Sequence, residues 1–232
     1  QDSQGNFSGG YDDARQADGM IVIGTTQNMA AWEYFRSIDY DGKAWACWGS
    51  PFDELGWVRS DNAEGGRIAT DHLVAGGRRK IVFIGSRTSL QRQFDERYQG
   101  YEAAMIAHGL SPVLVEVDEA MNREEQGAVA VRRMVASGMA FDGIFAACDL
   151  MALGALRSLE DAGISVPKQV GVVGFDGIRA GSYTTPALTS VEPDYTAAGD
   201  LLVKAVLARL RGTDLPDRRV PVQLLVRNSC SA

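Results

Sequence analysis

Histidine and cysteine are scarce in these 232 residues, which hold only His72, His108, Cys47, Cys148 and Cys230. Three cysteines without a CxxC pair make neither a disulfide framework nor a zinc site, and they suit a reducing cytoplasm. Two histidines leave few members for a metal site or a Ser-His-Asp triad. His72 falls inside a helical pattern and His108 ends another before Gly109, so both are read as structural or surface residues. Basic excess is also missing: 23 Lys and Arg stand against 30 Asp and Glu, for a net charge of −7. Phosphate backbones are bound by clustered cations. Here the densest groups, Arg78-Arg79-Lys80 and Arg218-Arg219, each precede a strand pattern and read as solvated edges. This chain is not expected to grip DNA by itself.

Long apolar runs are absent too. Ile81 to Ile84 and Val170 to Phe175 are strand-length, far too short to span a bilayer, and no signal-peptide pattern opens the chain. A mature periplasmic protein would show no such pattern either. There is no GxSxG, P-loop or HExxH, and Glu64-Gly65-Gly66 lacks dinucleotide spacing. The expectation is a protein without catalytic residues, metal or cofactor, not an enzyme and not a membrane protein.

What the chain does have is alternation. From Met20 onward, short β-branched runs alternate with stretches of helical period, the signal for βα units on a mainly parallel sheet. Strands are expected at Met20–Ile23, Ala44–Trp48, Trp57–Ser60, Lys80–Gly85, Val113–Val117, Gly143–Ala147, Val170–Phe175, Leu188–Val191 and Val220–Val226. Helices are expected at Asn62–Ala75, Gln93–His108, Arg123–Ser137, Leu150–Ala162 and Thr196–Arg211. Asp61 or Asn62 can cap the first helix, and Gly76-Gly77, Gly109, Gly138 and Gly163 follow the first four as stop signals. Gln1 to Asp18 is polar, Gly-rich and without apolar periodicity.

Seven phrases in fixed order make the chain similar to the effector-binding part of the lac repressor and galactose repressor family. They are ADGMIVIG (Ala17–Gly24), SDNAEGGRIATDHLVAGGRRKIVFIG (Ser60–Gly85), RYQGYEAAMIAHGL (Arg97–Leu110), FDGIFAACDLMALGALRSLEDAGISVP (Phe141–Pro167), VGVVGFDG (Val170–Gly177), PALTSVEPDYTAAG (Pro186–Gly199) and VPVQLLVRNSC (Val220–Cys230). The resemblance implies an α/β fold of periplasmic-binding-protein-like type I. Two doubly wound subdomains are linked by three crossovers and enclose a sugar-sized cleft. The expected division is 1–59 plus 194–218 against 60–193 plus 219–232. The N-terminal subdomain is expected to be incomplete at its start, and a DNA-binding helix-turn-helix head to lie upstream.

Several residues are candidates for the ligand site. Asp176 follows the apolar run Val170–Phe175, so its carboxylate emerges at a strand's carboxyl end, where open α/β sheets bind ligands. It matches the family's hydroxyl-binding aspartate, and it could equally be a turn residue beside Gly177. Asp149 follows Ile144–Ala147 in the same way, or serves only as the cap of the helix after it. Cys148 stands where the family carries asparagine. Arg97 matches the family's cleft arginine, whose planar fork suits hydroxyl pairs or a carboxylate. The competing role is an ion pair with Asp95, Glu96 or Glu102. Gln93 and Phe94 are expected beside it. Trp48 ends a strand and is left between sugar stacking and core packing. Asn122 occupies the position where many family members stack an aromatic on the ligand, and Pro193 replaces a polar residue that some relatives use.

Leu202, Val206 and Leu210 are read as core. Met151, Leu153 and Leu156 are left between core and a dimer face. The resemblance implies a cytoplasmic, homodimeric transcription regulator, a repressor, sensing a small polar effector such as a sugar or sugar derivative. It would meet operator DNA through its head. A periplasmic sugar-binding protein of a transporter, which shares the fold, is the other reading.

Overall fold

In the computed structural model, residues 17–23, 29–40, 44–49, 57–87, 92–213 and 218–230 are described. The chain forms two compact units, 1–60 with 194–221 and 61–193 with 222–232. The third crossing falls at Pro221, later than the pattern suggests. Arg219 and Val220 pair with Arg59 and Ser60, which keeps both segments in the smaller unit.

The smaller unit is built on a parallel four-stranded sheet, β1 (Gly19–Ile23), β2 (Ala44–Trp48), β3 (Trp57–Ser60) and β9 (Arg219–Val220), in that order. Side chains alternate across β2, so it is buried on both faces. Trp45 and Cys47 meet Ala31, Trp32 and Phe35 of α1 (Met29–Tyr40), with Phe35 stacked on Trp45 at 5.4 Å. Ala46, with Val58 and Val220, meets Ala198, Leu202 and Ala205 of α6 (Tyr195–Leu210). Leu202 joins the core as its spacing implies, whereas Leu210, near the C-terminal end of α6, is 48% exposed.

The larger unit carries a six-stranded sheet of order β10-β8-β7-β6-β4-β5. Its strands are β4 (Ile81–Gly85), β5 (Val113–Glu116), β6 (Gly143–Ala146), β7 (Gly171–Phe175), β8 (Thr189–Pro193) and β10 (Val222–Leu225). All pairs are parallel except β10 with β8. Pro221 has no N–H to donate, and it separates β9 from β10 where one continuous strand was expected. Phe83, Phe145 and Phe175 lie in a core filled from α2 (Asn62–Ala75), α3 (Arg92–Ala107), α4 (Arg123–Ala136) and α5 (Asp149–Asp161). Met151 and Leu156 are buried in that core and Leu153 packs partly against it.

Two features set the geometry at the carboxyl end of this sheet. First, β5 lies on one side of β4 while β6, β7 and β8 extend on the other, so the winding direction reverses between β4 and β6. A crevice at such a switch point is where open α/β sheets take their ligands. Second, α2 and α3 approach to backbone contact. A Cβ on Gly100 would lie 1.9 Å from the Ala63 carbonyl oxygen, and one on Gly66 would lie 2.1 Å from that of Arg97. This contact places Arg97 one turn from a fixed point.

Candidate functional site

Arg97 is 5% exposed, and its guanidinium makes three polar contacts at the sheet's carboxyl end. Nε donates to Asn62 Oδ1 at 3.0 Å, one terminal nitrogen donates to the Ala147 carbonyl at 2.5 Å, and the other pairs with Asp176 Oδ1 at 3.3 Å. The guanidinium carbon also lies 3.5 Å from the Phe175 ring centroid. The carboxylates that compete for Arg97 in sequence are engaged elsewhere. Asp95 pairs with Arg87, Glu96 with Arg92, and Glu102 accepts from Tyr98. A buried arginine that gives three of its five N–H groups to a backbone carbonyl, an amide and one carboxylate is held in a single pose. Asn62, 1% exposed, is part of that hold, donating its amide to Glu96 at 2.9 Å. It was grouped with Asp61 as a cap candidate, but Asp61 alone caps α2, accepting from Glu64 N–H.

Asp176 has φ of 111°, the one non-glycine residue with positive φ among the described residues. L side chains rarely adopt this conformation, and it persists only where the surroundings impose it. Its own N–H donates to Val191 O at 2.8 Å. The next two N–H groups are held as well, Gly177 by Ser190 Oγ at 3.0 Å and Ile178 by Asp149 Oδ2 at 2.8 Å. Ser190 Oγ donates in turn to Asp149 Oδ1 at 2.6 Å. Asp176 keeps 34% of its side chain exposed. Burial pushes its carboxyl above the usual carboxylate range, against the pull of Arg97.

Asp149 therefore plays neither of the roles weighed for it. Cys148 holds the cap position of α5 and makes no side-chain cap bond, while Asp149 is the first helical residue and fully buried. Both carboxylate oxygens are committed, Oδ2 to Ile178 in the loop that carries Asp176 and Oδ1 to Ser190 on β8. Burial pushes its carboxyl up to about 7, outweighing the two hydrogen bonds that favour the anion. The folded-state value lies above the unfolded one, so the folded protein holds an extra proton between about pH 4 and pH 7. Stability is expected to fall as pH rises through that window, by about 2–4 kcal/mol. Asp149→Asn keeps an acceptor for Ile178 without the charge. Urea unfolding at pH 5 and pH 7.5 should show most of that slope removed in the variant, and an undiminished slope would contradict the assignment.

The other candidates divide. Phe94, 5% exposed, lies beside Arg97 with its ring centroid 5.5 Å from the guanidinium carbon, and Gln93 is buried at the same helix start. Cys148 is buried, and burial together with the Asp176 charge pushes its thiol up to about 12. Asn122 is exposed and its Oδ1 caps α4 by accepting from Glu125 N–H at 2.8 Å, so it fills no stacking role. Trp48 belongs to the smaller unit, half-buried, with its ring 6.4 Å from that of Tyr195. One residue unmarked in the sequence joins the group. Arg123, at the first position of α4, places its guanidinium carbon 4.8 Å from the Phe94 ring centroid, and its charge lowers the Asp176 carboxyl.

A family model for a periplasmic binding protein-like domain matches residues 70–230. The chain belongs to that family. Within it, the resemblance to lac repressor-type regulators holds. The chain is 30% identical over 227 residues to the HTH-type transcriptional regulator CelR of Thermobifida fusca, covering 95% of this chain and 66% of that protein. It is 29% identical over 232 residues to the HTH-type transcriptional repressor MelR of Bacillus subtilis, covering 93% and 64%. It thus spans just under two thirds of each relative's length. Among solved structures, a CelR–cellobiose complex matches with a TM-score of 0.78 and 27% identity over 93% of this chain and 66% of that one. A LacI transcriptional regulator from a Rhodococcus species gives a TM-score of 0.78 with 25% identity, covering 93% and 79%.

Proposed function

We propose that this chain is the effector-sensing domain of a DNA-binding transcription regulator, a repressor, and that it binds a carbohydrate at the carboxyl end of the larger unit's sheet. The observation that carries this reading is the Arg97–Asp176 pair at the carboxyl ends of β6 and β7, next to the switch point of the strand order. A fixed guanidinium donates and a partly exposed carboxylate accepts, which is what vicinal hydroxyls require. The CelR structure holding cellobiose is a relative of this fold and sequence, and the similar proteins named above are regulators, which favours this reading over a transporter's binding protein. In such a regulator the acidic sensor reports on a metabolite while another part meets operator DNA. The working form is a homodimer in the cytoplasm. No described helix is long and apolar enough to cross a membrane.

Thermal shift with a panel of neutral mono- and disaccharides, cellobiose included, tests the reading, because a ligand of the folded state raises its melting temperature. A ligand at 100 times its Kd adds about 2.7 kcal/mol. Asp176→Asn should weaken the hit at least tenfold, since a hydrogen bond to a charged group is worth about 1.5–3 kcal/mol. Unchanged affinity in that variant would refute the site.

A further inference from the structure

We infer that Asp149 and Ser190 are positioning residues of the effector site, and that Asp149 must carry its charge for the Asp176 loop to hold the conformation that binds. Effector affinity is then gated by the ionisation of a buried carboxyl. This rests on the carbohydrate reading above and adds a control to it. Both halves of the ligand pair are anchored on one three-residue segment after β6. The Ala147 carbonyl receives Arg97, and two positions on, Asp149 accepts from Ile178 in the loop that carries Asp176. Asp149 also fits where a side chain on β7 would exclude it: a Cβ on Gly174 would lie 2.1 Å from Asp149 Oδ1. A glycine inside a strand marks such a close approach.

The hydrogen-bond count around Asp149 closes without a shared acceptor only for the anion. A serine hydroxyl has one proton to give. Ser190 gives it to Asp149 Oδ1 at 2.6 Å, which leaves a lone pair on Oγ for Gly177 N–H at 3.0 Å. Asp149 Oδ2 accepts Ile178 N–H at 2.8 Å. Asp176, at φ 111°, is thus held by three consecutive N–H groups, its own being on Val191 O. A proton on Asp149 has to sit on Oδ1, because Oδ2 faces an N–H. Ser190 must then accept that proton and turn its own away. The acceptor within reach is Val191 O at 3.4 Å, which already holds the Asp176 N–H. Oδ2, no longer charged, is also a weaker acceptor for Ile178. Protonation therefore loosens all three holds on the strained residue together.

Both charge states are within reach near neutrality. Burial pushes the Asp149 carboxyl up to about 7, although hydrogen bonds from Ser190 on β8 and Ile178 after β7 favour the anion. Of the charged groups around it, Asp176 adds to the rise and Arg227, beyond β10, opposes it. The ionised form is the one that binds, so affinity is highest above that pH and falls as pH drops through it. By linkage, an effector that requires the anion expels a proton as it binds.

Calorimetry on the whole chain with D-ribose, D-glucose, D-xylose and cellobiose at pH 5.5, 6.5 and 8 tests this. The expected result is that a sugar which binds does so at least about tenfold more tightly at pH 8 than at pH 5.5, and that binding at pH 6.5 releases protons to the buffer. Asp149→Asn turns an amide N–H toward Ser190 while its oxygen still faces Ile178, so it copies the protonated state. Its affinity should be low and flat with pH. Ser190→Ala leaves Asp149 one donor short, which raises the pH at which it ionises. That variant should move the affinity profile to higher pH, a displacement that damage to folding alone does not produce. In the free wild-type protein, the amide resonances of Gly177 and Ile178 should move together in one titration that Asp149→Asn lacks. Asp176 titrates as well, and Asp149→Asn leaves it in place. A wild-type slope that persists in that variant would therefore assign the effect to Asp176 and overturn the inference. Wild-type affinity equal at all three pH values would overturn it too, with the carbohydrate reading left standing. Silence from every sugar at every pH would overturn both.

Discussion

Arg97→Ala is expected to abolish measurable effector binding and to lower the stability of the larger unit by about 2–4 kcal/mol, the cost of leaving two buried acceptors unsatisfied. Three groups lose a partner at once: Asp176, Asn62 Oδ1 and the Ala147 carbonyl. The half-exposed Asp176 can recover water, whereas Asn62 and Ala147 are buried and cannot. The backbone carbonyl and the amide therefore account for much of the cost. Arg97→Lys should rescue little, because one ammonium cannot reproduce a planar fork directed to three acceptors. Urea unfolding followed by tryptophan fluorescence and circular dichroism reads the stability, and calorimetry reads the binding. A loss below 1 kcal/mol, or binding retained within threefold, would contradict the role given to Arg97.

The second large effect involves no polar atom. Gly100→Ala gains about 1 kcal/mol of helix propensity in isolation. The added Cβ would meet the Ala63 carbonyl oxygen at 1.9 Å and Arg67 N at 3.0 Å, both backbone atoms that a rotamer change cannot move. Overpacking of this kind costs about 1–3 kcal/mol even where side chains can yield. Two helices would have to separate here, so a net loss of about 2 kcal/mol or more is expected. Effector affinity should fall with it, because Arg97 rides on α3 one turn away. Gly199→Ala provides the opposite control. It lies in α6 with no heavy atom within 4 Å of its would-be Cβ, so it should stabilise by about 0.5–1 kcal/mol. Equal melting temperatures for both variants would mean that the α2–α3 contact is not what holds the site.

These contrasts show where sequence reading succeeds. Helix ends were legible because their chemistry is local: Gly77, Gly109, Gly138 and Gly163 all have positive φ where glycine was read as a stop. Arg97 and Asp176 were legible through their phrases, and their pairing is long-range, 79 positions apart in the chain by their numbers. The helix α1 was missed, since Ala31, Trp32 and Phe35 supply a short, aromatic-rich apolar face without the punctuation that marks the others. Asp149 was misplaced by one position, because a carboxylate at a helix start looks the same in sequence whether it caps that helix or reaches across to Ser190 and Ile178. Arg123 carries no local signal at all. Its significance arises from Phe94 and Gln126, which the fold brings to it from α3 and from one turn along α4.

The central claim is that a polyhydroxy effector is bound by Arg97 and Asp176 at the carboxyl end of the β10-β8-β7-β6-β4-β5 sheet. The most direct test is a crystal structure of the chain with whichever carbohydrate raises its melting temperature most. The expected result is ligand hydroxyl oxygens about 2.7–3.2 Å from the Asp176 carboxylate and the Arg97 guanidinium. A ligand seated elsewhere, such as the groove lined by Arg67, Asp71, Gln99 and Ala103 on the outer face of α2 and α3, would contradict it.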